Sequence, residues 1–398
     1  MRLFKLTVIL VFLQLSLSSC NQQNDLQLIH SDNIITGVQN TQIYLPLLLG
    51  KKIAVVTNHA SRIGKTHIVD SLKSLKVNVV KIFSPEHGFR GKADAGEKIK
   101  NNVDSKTQLP VISLYGNHKK PTTEDFSGID IVVFDLQDVG VRFYTYISTL
   151  TYVMEACAEN NIPLIVLDRP NPNGFYIDGP ILEPAFKSFV GLHPVPVVYG
   201  MTIGEYAKMV NGEGWLENNQ VCDLTVVPLK DYSHNMIIEL PVKPSPNLPN
   251  WESVYLYPSL CFLEGTIMSV GRGTDFPFQV FGHPDFILGS FLFTPQPNEG
   301  SKHPKYEGKQ CNGSNVIGYA NNYKNNPQQI NLSYLINTYN MMKLRSDDYF
   351  NDYFNTLAGN DKLQKQIKAG MTEKDIRETW RESLEAFKKI RARYLMYD

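Results

Sequence analysis

Five short apolar runs punctuate the first half of the chain: 52–57 (KIAVVT), 77–83 (VNVVKIF), 110–115 (PVISLY), 129–134 (IDIVVF) and 162–167 (IPLIVL). Each is rich in Val and Ile, and each is nearly continuous rather than alternating. That pattern belongs to strands buried on both faces, as in a parallel sheet. Between some of them, 67–76 and 148–160 carry apolar residues at helical spacing. Strands alternating with helices predict an α/β, doubly wound sheet. A TIM barrel needs eight βα units and the pattern offers five, so the barrel is set aside.

The pattern changes after about residue 200. Thr202 with Glu205 three positions on makes a capping box, which predicts a helix start. Residues 223–229 (DLTVVPL) read as one more strand. Residues 241–300 are dense in Pro, Gly and aromatics, a loop-rich composition of the kind that carries function. From Thr372 onward Ile376, Trp380, Leu384, Phe387 and Tyr394 form an apolar stripe at helical spacing, predicting a capped helix whose stripe faces a core.

At the N-terminus, Arg2 and Lys5 precede an apolar stretch over 6–17. A membrane span needs about 20 apolar residues, so this reads as the h-region of a secretory signal. It ends in Leu17-Ser18-Ser19-Cys20, which resembles a lipobox, with Cys20 the expected lipidation site. The expected organisation is a lipoprotein signal peptide (1–19), a tether (20–30), a Rossmann-like mainly parallel α/β domain (31–210) and a smaller α+β domain (211–398) closing a cleft. Such a product is exported and held at the periplasmic face of a membrane of the bacterial envelope.

Charge narrows the partners. The chain carries 39 basic and 39 acidic residues. With no basic excess to drive counterion release, nucleic acid is not an expected partner. Cys157, Cys222, Cys261 and Cys311 form no CxxC pair, so no structural metal site is expected; an exported chain permits disulfides, and buried free thiols fit these positions equally well.

Ligands of open parallel sheets sit beyond the carboxyl ends of the strands, so the residues after each run matter most. They are Asn58-His59-Ala60-Ser61-Arg62; Ser84-Pro85-Glu86-His87-Gly88-Phe89-Arg90-Gly91; Tyr115-Gly116-Asn117-His118; Asp135-Leu136-Gln137-Asp138-Val139-Gly140-Val141-Arg142-Phe143-Tyr144; and Asp168-Arg169-Pro170-Asn171-Pro172-Asn173-Gly174. All five turns are polar. Five on one sheet edge predict a cleft rich in acids, histidines and arginines. No dinucleotide fingerprint, P-loop or GxSxG elbow is present, so neither a nucleotide cofactor nor a serine nucleophile is expected.

The blocks SPEHGFRG, DLQDVGVRFYTYI, VLDRPNPNG, DGPILE, SFVG, YGMTIGE, PSPNLP, YPS, FLEGT and SVGRGTDFPF, in this order, resemble the exo-β-N-acetylmuramidase family of peptidoglycan-recycling glycosidases. The resemblance runs from about Gly37 to the C-terminus. It implies release of N-acetylmuramic acid from the non-reducing end of peptidoglycan fragments, with no cofactor. It also implies a Rossmann-like domain, a smaller α/β domain and a site between them.

A glycosidase needs a carboxylic acid to protonate the departing oxygen. Glu86, just past a buried strand and between Pro85 and Gly88, is the first candidate; its other reading is a carboxylate capping local backbone NH groups. Candidates for a second group are Glu264, Asp135, Asp138 and Glu97, with Tyr144 or Tyr146 as a tyrosine alternative. Glu264 is the choice, with its other reading an acid organising the Arg272 loop. The lactyl carboxylate of N-acetylmuramic acid calls for arginine, whose planar fork matches it. Arg90, Arg142, Arg169 and Arg272 qualify, or else form buried ion pairs. Asn58, His59, His87, Asp135, Asp138, Tyr144 and Asn171 complete the expected substrate-binding set. Two rival functions remain: a metal-dependent hydrolase using His59, Glu86, His87, Asp135 and Asp138, whose spacing fits no compact ligand motif, and a lipoprotein that binds cell-wall sugars without cleaving them.

Overall fold

The structure, a computed structural model, describes residues 26–86, 88–89, 102–346 and 348–398. Cys20, His87, Arg90 and Glu97 lie outside the described residues. Seven strands form the central sheet: β1 (Ile53–Thr57), β2 (Val79–Ser84), β3 (Asn102–Val103), β4 (Pro110–Ser113), β5 (Ile131–Asp135), β6 (Leu164–Leu167) and β7 (Leu224–Val227). Their spatial order is β7-β6-β5-β1-β2-β4-β3. All neighbours run parallel except the edge pair β3–β4. The five strands read from the sequence are thus the five central ones. Strand order departs in both directions from β1, so the sheet switches direction between β1 and β5, where crevices open at the carboxyl ends.

The continuous apolar runs are explained by what covers the sheet. Successive strand side chains point to opposite faces. Ile53, Val55, Ile131, Val133 and Ile165 pack with Tyr44 and Leu48 of α1 (Thr41–Leu48) and with Ile68, Val69 and Leu72 of α2 (Ile68–Ser74). Ala54, Val56, Val132, Phe134, Leu164 and Val166 pack on the other side with α3 (Tyr146–Asn160) and α4 (Ile203–Gly212). In β1, β5 and β6 every position is buried, so both alternating sets there are almost wholly apolar. α3 ends at Asn161, which takes the left-handed conformation (φ 53°) that Asn tolerates better than most residues. α4 starts with the expected capping box of Thr202 and Glu205.

Two expected boundaries move. The strand read at 223–229 pairs with β6 in the main sheet, so the sheet does not stop at residue 210. The stretch assigned to a tether includes a strand: Leu28–His30 lies parallel to Ile237–Glu239, and His30 pairs with Glu239 at 2.8 Å.

Beyond the sheet lie α5 (Trp251–Leu260) and a three-stranded antiparallel sheet of β8 (Val280–His283), β9 (Phe291–Phe293) and β10 (Cys311–Asn315), ordered β8-β10-β9. Further along are α6 (Tyr353–Ala358), α7 (Glu373–Glu378) and α8 (Arg381–Arg391). The single helix expected after Thr372 is therefore two. Thr379 interrupts it by returning its hydroxyl to the Ile376 carbonyl at 2.6 Å, a local bond that competes with the helical ladder. The stripe is core as expected: Ile376, Trp380 and Phe387 are buried, and Leu384 and Tyr394 pack against them. The four described cysteines are buried free thiols.

Candidate active site

A cavity of about 530 Å³ opens beyond the carboxyl ends of β2, β4 and β5, a size typical of small-molecule sites. Its lining includes Glu86 after β2, Tyr115, Asn117 and Lys119 after β4, and Phe143 to Tyr146 after β5. Later stretches of the chain add Ser188 and Phe189, Ser245 and Asn247, Tyr257 and Cys261 of the α5 region, Glu264, Arg272, and Tyr353 of α6.

Glu86 stands at the turn after β2, where Pro85 cannot extend the ladder. Its Oε2 accepts a 2.8 Å hydrogen bond from the hydroxyl of Thr145, the residue that precedes α3. Asn58 approaches the same corner from β1 and donates its amide to the Tyr146 hydroxyl at 2.7 Å. Tyr144 donates to the Pro244 carbonyl at 2.8 Å. Burial raises both phenols well above their ordinary pKa, which favours the neutral hydroxyls.

Glu264 comes from the turn Cys261–Gly265 that follows α5. Arg272 grips it in two places: Nε donates to Oε1 at 2.5 Å and Nη2 to Oε2 at 2.9 Å. Burial works against the guanidinium charge, and Glu264 more than compensates, raising its pKa. The guanidinium carbon also lies 4.9 Å from the Phe278 ring centroid. The flanking glycines explain the motif SVGRGT. Gly271 and Gly273 have φ of 78° and 79°, the left-handed region that favours glycine. A Cβ at Gly271 would sit 2.7 Å from the Phe276 carbonyl oxygen, and one at Gly273 would sit 2.6 Å from that of Gln296. Tyr353 also lines the cavity; burial raises its phenol, with Cys261, Glu264 and Glu86 adding to the rise.

Of the sequence-predicted set, the structure brings Glu86, Glu264, Arg272 and Tyr144 to the cavity wall, with Asn58 one hydrogen bond behind it. The turns after β1 and β6 do not line the cavity. Asp135 and Arg169 form a buried two-point pair at 2.7 and 2.8 Å, which takes both out of substrate reach. Asp138 is buried and accepts hydrogen bonds from the Tyr199 hydroxyl and the Gly140 NH; burial pushes its carboxyl up to about 6. Arg142 is fully buried, and its guanidinium donates to the carbonyls of Pro180, Val195, Leu357 and Ala358 at 2.8–3.0 Å. It binds main chain, not ligand. Asn171 spans to the Met201 carbonyl and the Asn173 NH. His59 meets the Lys243 carbonyl at 2.9 Å and faces a separate cleft with Arg62 and Lys106. Among the described residues no three His, Cys, Asp or Glu side chains converge as metal ligands.

Sequence reasoning missed Lys119, Phe189, Asn247, Thr145 and Tyr353 as cavity residues. Phe189 and Asn247 lie inside the blocks SFVG and PSPNLP, and Thr145 inside DLQDVGVRFYTYI, so a signal existed for each. Lys119 and Tyr353 belong to no block.

The comparisons with known proteins agree along the whole chain. Residues 53–252 match the family description "Exo-beta-N-acetylmuramidase NamZ, N-terminal", and residues 255–397 match its C-terminal counterpart. The peptidoglycan beta-N-acetylmuramidase NamZ of Bacillus subtilis (strain 168) is 37% identical, covering 98% of this chain and 98% of that one. A DUF1343 family protein of Bacteroides fragilis, known from its crystal structure, is 44% identical with a TM-score of 0.83, covering 92% of this chain and 99% of that one. A second from the same organism is 28% identical with a TM-score of 0.79, over 92% and 99%.

Proposed function

The chain belongs to the exo-β-N-acetylmuramidase family, and on that premise we propose that it is an exo-acting glycoside hydrolase releasing N-acetylmuramic acid from the non-reducing end of peptidoglycan fragments. The observation that carries this reading is two carboxylates with unlike partners lining one cavity: Glu86 held by the Thr145 hydroxyl, Glu264 held by Arg272. Pairs of acids in different settings are what divides proton donation from charge stabilisation.

Glu86 is the proton donor. Its proton passes to the glycosidic oxygen as the bond from that oxygen to the anomeric carbon breaks. Positive charge then develops on the anomeric carbon and ring oxygen, and Glu264 supplies fixed negative charge toward it. Water adds to the anomeric carbon, the proton it sheds restores Glu86 for the next turnover, and the free sugar leaves. Tyr257 and Tyr353, neutral at working pH because burial raises their phenols, are donors for sugar hydroxyls. Family membership alone supports the exo mode.

The same reading extends to organisation and place. The doubly wound sheet with helices on both faces is a Rossmann-like domain, and the antiparallel sheet with the C-terminal helices is a second, smaller one. The lipobox-like end at Cys20 makes the protein a lipoprotein of the cell envelope. Among the described residues no helix is long and apolar enough to cross a membrane.

The test is digestion of a chromogenic β-N-acetylmuramide, its β-N-acetylglucosaminide counterpart and a disaccharide with N-acetylmuramic acid at its non-reducing end. Turnover is expected for the muramides alone, with free N-acetylmuramic acid as product. Binding of the disaccharide without any release would make the protein a sugar-binding lipoprotein instead. For the anchor, replacement of Cys20 by Ala should abolish labelling by a radioactive fatty acid; unchanged labelling refutes it.

A further inference from the structure

Four charged side chains line the cavity among the described residues: Glu86, Lys119, Glu264 and Arg272. Arg272 was one of four arginines expected to meet a substrate carboxylate, but its fork is occupied by Glu264. Lys119 is different. Its neighbour Lys120 is surrounded by acids, with Glu159 at 2.6 Å, Glu155 at 3.2 Å and Glu217 at 3.4 Å. Lys119 points the other way, into the cavity, and among the described residues it has no carboxylate partner within 4 Å. Its ammonium rests over the Phe189 ring, 4.7 Å from the centroid. Phe189 is itself stacked on Tyr152, with rings 6.1 Å apart and 7° from parallel. A cation seated on a fixed aromatic face keeps its charge and loses little freedom on meeting an anion.

Charge balance points the same way. Among the described residues, and with Glu86 as the proton donor proposed above, the lining carries Glu264 against Lys119 and Arg272, a net single positive charge. The muramyl residue carries a single negative charge on its lactyl group, which N-acetylglucosamine lacks.

We propose that Lys119 receives the lactyl carboxylate of the muramyl residue and is the side chain that separates muramides from glucosaminides. This rests on the muramidase reading of the cavity and adds to it the residue that sets specificity.

The experiment compares wild type, Lys119→Met and Lys119→Arg on a chromogenic β-N-acetylmuramide and on its neutral lactyl methyl ester. A hydrogen-bonded charge pair predicts that wild type favours the acid about 10- to 100-fold in kcat/KM. In Lys119→Met the acid-to-ester ratio should fall toward one, mainly through KM, while Lys119→Arg keeps most of it. A wild-type ratio in Lys119→Met overturns the proposal. If the wild type turns over neither compound, the muramidase reading fails and calorimetry still decides on Lys119. N-acetylmuramic acid should then bind Lys119→Met about tenfold more weakly than wild type, with N-acetylglucosamine binding equal in both. Equal N-acetylmuramic acid affinity for the two proteins overturns it there as well.

Discussion

Replacing Glu86 by Gln removes one transferable proton and little else. The side chains are nearly isosteric, and the amide oxygen can still accept the 2.8 Å hydrogen bond that Thr145 donates to Glu86 Oε2. Exchanging the acceptor in that one bond changes stability by about 1 kcal/mol, so the melting temperature should move by only a few degrees. The rate should change far more, because a positioned general acid is worth about 10²- to 10⁴-fold. The size of the loss depends on the leaving group. A sugar alkoxide needs a proton to depart, whereas an acidic nitrophenol departs with little help. The assay is therefore kcat on the muramyl disaccharide beside kcat on the nitrophenyl muramide, for wild type and Glu86→Gln. The variant should lose at least about a hundredfold on the disaccharide and markedly less on the aryl substrate. Disaccharide cleavage within a few-fold of wild type, or equal losses on both substrates in a folded protein, would remove Glu86 from the role of proton donor.

Arg142→Met should destabilise the fold by about 4 kcal/mol or more, because it strands four buried carbonyls; a urea titration showing a loss below about 1 kcal/mol would refute this. Asp138 gives a pH signature. Its folded pKa, about 6, lies above the ordinary carboxylate value of 3.8, so the folded state binds its proton more tightly and this contribution is lost as pH rises from about 4 through 6. Asp138→Asn keeps a neutral acceptor for Tyr199 and places an NH₂ where Oδ1 has no hydrogen-bond partner. Its stability relative to wild type should rise between pH 4 and pH 7, measured by urea unfolding at both; a constant difference counts against the assignment. Arg272→Met leaves Glu264 ungripped. The pair is about a quarter exposed, so stability should fall by only about 1 kcal/mol, while kcat drops at least about tenfold; wild-type kcat would show that the orientation of Glu264 is immaterial.

The strands β1, β5 and β6 were legible because each is buried at every position, which forces continuous apolar runs. The edge of the sheet was not. β7 carries the exposed Thr225 and partly exposed Leu224 and Val226, and nothing local says that it joins β6 instead of starting another unit. Strand ends marked the correct rim of the sheet, yet they do not say which polar residues face solvent and which face one another. Asp135 with Arg169, and Arg142 with its carbonyls, are partners separated by 34 to 216 positions. From the sequence such groups look like ligand binders, because a buried charge needs some partner and only the fold reveals that the partner is the protein itself. Lys119 was missed for the opposite reason: it sits beside another lysine, and an exposed basic pair is the usual reading until Lys120 is seen to be held by three acids.

The four carbonyls on Arg142 belong to two distant stretches, Pro180 and Val195 on one hand and Leu357 and Ala358 on the other. Arg142 itself stands three residues before Thr145, and Leu357 is four residues after Tyr353. The same guanidinium therefore sets where the Glu86 side of the cavity stands relative to its Tyr353 side. One apolar cluster likewise runs from Ala54 to Phe387. The consequence concerns how the protein can be taken apart. A fragment ending near residue 252 would carry the guanidinium without two of its acceptors, and the complementary fragment would expose the carbonyls of Leu357 and Ala358. Neither piece is expected to be soluble or active alone. Protein engineers should exchange this enzyme between hosts as one indivisible unit, and should seek tolerant insertion points at the exposed surface of the antiparallel sheet, away from α6.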